Sequence, residues 1–150
     1  MKPIDLQASQ AEWDVMRIVW SLEKPTSRDI STVLKQTKNW EPSTTKTLLS
    51  RLVKKGYLDV EKEGKSFIYF PMMTEEDSVT HRVNGLFDSF CEKKVGSAIV
   101  EAIDNYDLTV SDIDTMIELL KNKKPAEHIQ CSCIPEDCSC EGMKCTCHLK

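Results

Sequence analysis

Pro42 and Gly56 frame the stretch that most constrains this fold. A proline suits the first turn of a helix, where its missing N–H would have no partner anyway. A glycine suits the stop, because it enters the left-handed conformation without a steric penalty. Projecting the helix between them at about 100° per residue separates two faces. Thr45, Leu48, Leu49, Leu52 and Val53 fall on one, and Ser43, Thr44, Thr47, Ser50, Arg51 and Lys54 on the other, with Lys46 on the flank. β-prone sequence follows directly: Leu58 to Glu61 and Phe67 to Phe70, joined by Glu63-Gly64-Lys65-Ser66 and closed by Pro71, predict a hairpin.

Two helices are expected before this unit. Ser9 with Glu12 has the spacing of a capping box, and Trp13, Met16, Val19 and Trp20 recur at helical intervals behind it. Lys24-Pro25-Thr26 ends that helix, and Ser27 is positioned to cap a shorter one through Ile30, Val33 and Leu34. Downstream, Thr74 is expected to cap a fourth helix with the stripe Val79, Val83, Leu86, Phe87 and Phe90. Val95, Ile99, Ala102 and Ile103 suggest a fifth, and Ser111 opens a sixth containing Ile113, Met116, Ile117 and Leu120.

Three helices and a two-stranded ribbon within residues 7–71 have the order of a winged helix-turn-helix. The expected class is mainly α with a small β-hairpin, in three parts: a DNA-binding domain over 1–72, a helical dimerisation region over 73–124 and a Cys-rich metal-binding tail over 125–150. The roughly 50 residues of helices four to six are too few to bury a good core alone, so their apolar stripes are expected to meet those of a second chain in a homodimer.

Charge points to nucleic acid only where it is concentrated. The whole chain has a net charge of −4. Between Ser31 and Lys62, however, Lys35, Lys38, Lys46, Arg51, Lys54, Lys55 and Lys62 face only Glu41, Asp59 and Glu61, a local excess of positive charge. Small hydroxyls let a helix approach a groove floor, and Arg and Lys reach base edges or phosphates. Ser43, Thr44, Lys46, Thr47, Ser50, Arg51 and Lys54 are therefore the candidate DNA-reading residues. Lys65, beside Gly64 and near Lys62, is a candidate phosphate contact at the wing tip. An ordinary solvated helix face and a soluble turn account for the same residues; the short helix before and the ribbon after favour DNA. Trp13 and Trp20 are assigned to the core, and Trp40 to packing under the start of the third helix.

Six of the seven cysteines lie between Cys131 and Cys147. No apolar run approaches the roughly 20 residues that cross a bilayer, and the first residues lack the apolar stretch of a secretory signal. The expectation is a cytoplasmic protein without a membrane partner, whose thiols stay reduced and suit metal better than disulfides. Cys131, Cys133, Cys138 and Cys140 form Cys-x-Cys-x4-Cys-x-Cys, followed by Cys145 and Cys147 with His148 adjacent. Four thiolates suit tetrahedral Zn(2+) and equally Cu(I); a static zinc clip and a thiol redox sensor are the alternatives. Cys91 reads as a buried small hydrophobe on the fourth helix near Phe87, His81 as a helix surface residue and His128 as a linker residue. No nucleophilic triad, phosphate loop or carboxylate pair is present, so no enzyme is expected.

Ala11-Glu12-Trp13 through Trp20, the run from Pro42 to Leu52, and Lys55-Gly56-Tyr57-Leu58 resemble the BlaI/MecI family of repressors. With the cysteine tail, the chain resembles the copper-responsive CopY type. The resemblance implies a homodimer on an inverted-repeat double-stranded DNA operator with a TACA/TGTA core, upstream of copper-transporting ATPase genes. It implies zinc on Cys131, Cys133, Cys138 and Cys140 during repression and Cu(I) as the effector that displaces it. Cys145 and Cys147 extend the basic motif and are further candidate ligands, and a copper-donating chaperone is a further candidate partner. Two other readings remain: a copper-buffering or delivery protein, for which the basic third helix has no use, and a β-lactam-type repressor with a structural zinc tail, which predicts no copper effect on DNA.

Overall fold

The computed structural model describes residues 7–131, which form α1 (Gln10–Ser21), α2 (Ser27–Lys38), α3 (Pro42–Lys55), β1 (Leu58–Glu63), β2 (Ser66–Pro71), α4 (Glu75–Asp88), α5 (Glu92–Asn105) and α6 (Val110–Asn122). Cys133, Cys138, Cys140, Cys145, Cys147 and His148 lie outside the described residues. The chain divides into two compact units between Arg82 and Val83.

In the first unit, local chemistry sets the helix ends. The Ser9 hydroxyl accepts from the Glu12 amide at 3.2 Å, and the Glu12 carboxylate accepts from the Ser9 amide at 3.2 Å, the reciprocal capping box. The cap of α2 is Thr26 rather than Ser27, because Asp29 stands three residues after Thr26 and completes a second box. Asn39 ends α2 in the left-handed region at φ 56°, and Gly56 ends α3 there at φ 87°. The Tyr57 amide then bonds back to the Leu52 carbonyl at 3.0 Å, a Schellman-type stop.

Trp13, Val15, Met16 and Val19 of α1, Ile30 and Leu34 of α2, and Leu48, Leu49 and Leu52 of α3 bury together with Tyr57 and Leu58. Trp13 meets Tyr57 edge to face at 5.3 Å between ring centroids, and the Arg82 guanidinium lies 4.2 Å over the Trp13 ring. Trp20 is half-buried and donates its indole N–H to the Met73 carbonyl at 3.0 Å, while Trp40 packs against the core edge.

β1 and β2 pair antiparallel from Leu58 opposite Pro71 to Glu63 opposite Ser66. The strands are longer than the sequence suggests, and the loop shrinks to Gly64 and Lys65. Gly64 has φ 63°, a positive value that glycine supplies at the first position of a two-residue hairpin loop. Thr26 bridges Ile68 and the Tyr69 amide donates to the Pro25 carbonyl at 3.0 Å, tying the ribbon to the α1–α2 connection. Three helices with this ribbon make the unit a winged-helix domain.

The second unit is built differently. α5 and α6 bury none of their residues, and Ile99, Val100, Ile103, Ile113, Ile117 and Leu120 are exposed. Thr109, not Ser111, caps α6, again because an acid, Asp112, stands three residues on. Cys91 is not on α4, which stops at Asp88; it is the N-cap of α5.

Candidate nucleic-acid interface

Burial along α3 alternates with its helical period. Thr45, Leu48, Leu49 and Leu52 point into the core. Ser43, Thr44, Lys46, Thr47, Ser50, Arg51 and Lys54 are all exposed, as is Lys65 in the wing loop. The Thr47 hydroxyl donates to the Ser43 carbonyl at 3.0 Å, so its outward presentation is held by its own helix.

Ion pairing sorts the basic residues further. Lys35 pairs with Glu41, Lys38 with Asp14 at 3.6 Å, and Lys55 with Glu12 at 2.8 Å. Lys46, Arg51, Lys54, Lys62 and Lys65 make no ion pair among the described residues. Between Ser31 and Lys65, the basic residues left without an ion pair are thus those on the outer face of α3 and on the wing, a placement that suits phosphate contacts. At the start of α3, Glu41 makes no side-chain cap, Pro42 has no N–H, and the Thr44 and Thr45 amides donate to the Glu41 carbonyl at 3.0 and 3.3 Å.

Lys55 is the residue that the basic count misplaces. Its ammonium reaches the nearly buried Glu12 carboxylate and the Gln7 carbonyl at 3.0 Å, so it locks α3 to α1 instead of facing outward. Its reach across 43 positions gives no local sequence signal. Asp29 is held below the usual carboxylate range, first by the Thr26 backbone N–H and then by the Thr26 hydroxyl. Burial pushes the Tyr69 phenol up.

Of the candidate metal ligands, Cys131 is described. It is buried, with its sulfur 3.5 Å from that of Cys91. Two thiols at that separation suit a soft-metal site, and no group of three such ligands occurs among the described residues. His81 and His128 are exposed, as expected from the sequence.

These features define a winged-helix DNA-binding protein. A profile of the Penicillinase repressor family matches residues 8–122, and the chain belongs to that family of DNA-binding transcriptional repressors, which are not enzymes. It is 39% identical over 137 residues to an uncharacterised 16.5 kDa protein in the ptsI 3′ region of Latilactobacillus sakei, covering 90% of this chain and 94% of that one. It is 30% identical over 118 residues to the penicillinase repressor of Bacillus licheniformis, covering 79% of this chain and 92% of the relative. The solution structure of the DNA-binding domain of the repressor BlaI aligns with 40% identity and a TM-score of 0.47, covering 51% of this chain and 93% of that domain. No helix among the described residues is long and apolar enough to cross a membrane.

Proposed function

We propose that this chain is a copper-responsive repressor: a zinc-loaded homodimer that grips an inverted-repeat operator and lets go when its tail thiolates exchange zinc for Cu(I). The observation that carries this reading is the Cys-x-Cys-x4-Cys-x-Cys tail, Cys131 to Cys140, on a family repressor. Cys131, Cys133, Cys138 and Cys140 would hold the metal, with Cys145 and Cys147 as extra thiolates. These thiolates would suit Zn(2+), and their softness would equally favour Cu(I).

Arg51, with Ser43, Thr44, Thr47 and Ser50 around it, would read bases, and Lys46, Lys54 and Lys65 would hold phosphates. A two-fold dimer places its recognition helices in successive major grooves, roughly 34–36 Å apart. The uncovered apolar faces of α5 and α6 support a partner chain there. If the four thiolates hold one Zn(2+) or two Cu(I), the net charge is the same in both states, so the switch would work by geometry, with release set by different contacts in the two states.

A gel shift on a palindromic duplex, with reduced protein and either zinc or Cu(I), tests this. The zinc form is expected to bind and Cu(I) to release, with Cys138→Ser abolishing the response. DNA binding indifferent to Cu(I) would refute the copper reading and leave a repressor with a structural zinc tail. No specific DNA binding, with tight Cu(I) uptake, would point to a buffer.

A further inference from the structure

From Val83 onward, Cys131 is the one buried residue among those described, and every residue from Lys121 to Gln130 is exposed. A chain that otherwise leaves α6 unpacked is thus buried at the first cysteine of its tail, where the Cys131 sulfur lies against the Cys91 thiol at the head of α5. Packing alone is served by any small apolar pair; two sulfurs in contact across 40 positions are a particular choice.

Their separation is informative. At 3.5 Å the sulfurs are well beyond the about 2.05 Å of a disulfide bond. Zn–S bonds of about 2.3 Å meeting at the tetrahedral angle place two ligand sulfurs about 3.8 Å apart, a few tenths of an ångström from the observed spacing. Both thiols can therefore bind one ion with little rearrangement, each releasing its proton to solvent as it becomes a thiolate.

We propose that Cys91 is a metal ligand outside the Cys-x-Cys units, sharing one soft metal ion with Cys131 and so fastening the tail to the start of α5. This rests on the reading of the tail as a thiolate metal site. Within that reading it reassigns the ligand set: Cys91 takes one of four positions, and one of the tail cysteines becomes surplus to a single zinc. It also gives the metal a direct hold on α5, one of the helices whose apolar faces are uncovered.

The test uses the reduced full chain with zinc alone, footprinted by thiol alkylation and mass spectrometry. Zinc is expected to slow labelling of Cys91 and Cys131 together, with release by chelator restoring both. In Cys91→Ser, zinc affinity measured by chelator competition should fall at least about ten-fold, since disturbing even an outer-shell partner costs 10–100-fold. Protection of Cys133, Cys138 and Cys140 with Cys91 labelled equally fast in both states would overturn the proposal while leaving the tail site intact. If zinc protected no cysteine, both the tail site and this proposal would fall.

Discussion

The contact between Lys55 and Glu12 offers a sharp test of how α3 is held. Glu12 is 2% exposed, and its carboxylate accepts from the Ser9 amide and from Lys55 at 2.8 Å. Lys55→Met would leave that carboxylate buried with the capping bond alone. Breaking a fully buried pair costs 3–5 kcal/mol, but the Lys55 side chain is 28% exposed and water softens the loss, so about 2–3 kcal/mol is expected. For a domain of this size that lowers the melting temperature by roughly 10–20 °C. Tryptophan fluorescence during thermal and urea unfolding reports it, because Trp13 and Trp20 sit in the affected unit. Glu12→Gln added to Lys55→Met keeps an acceptor for the Ser9 amide and removes the stranded charge, and should recover more than half of the loss. The salt dependence of DNA binding should be unchanged in Lys55→Met, since a phosphate contact would instead reduce its slope by about 1. A loss below about 0.5 kcal/mol, the level of an ordinary surface substitution, or strict additivity in the double variant, would refute this account.

Arg51→Ala should weaken operator binding by about 1–3 kcal/mol and random DNA by less, whereas Lys54→Ala or Lys65→Ala should weaken both alike and flatten the salt dependence; fluorescence anisotropy on the two duplexes separates the classes. A fragment of residues 1–82 should sediment as a monomer with poor operator affinity, and a dimeric, tight-binding fragment would remove α5 and α6 from dimerisation. Thr26→Ala should cost about 1 kcal/mol near neutral pH by removing the cap of α2. Because Asp29 is depressed in the folded state, its share of that cap is present above its unfolded value of about 3.9 and is lost as pH falls through the lower folded value. The Thr26→Ala deficit in urea melts should therefore shrink on going from neutral pH to pH 3.

The elements of the winged helix were legible in the sequence because their signals are local. Ser9 with Glu12 and Pro42 with Gly56 mark helix ends by chemistry confined to one turn, and the two faces of α3 follow from its period. Near Ser27 and Ser111 two hydroxyls compete for one cap, and the acid three residues later decides for Thr26 and Thr109. Tertiary structure alone decided the rest. Only the folded chain withdraws Lys55 from the basic face to Glu12, ties Tyr69 to Pro25, lays Arg82 over Trp13 and joins Cys91 to Cys131. Each of these contacts joins residues about 40 or more positions apart, and periodicity and capping act within a turn or two, so no local pattern encodes which distant partner a side chain meets.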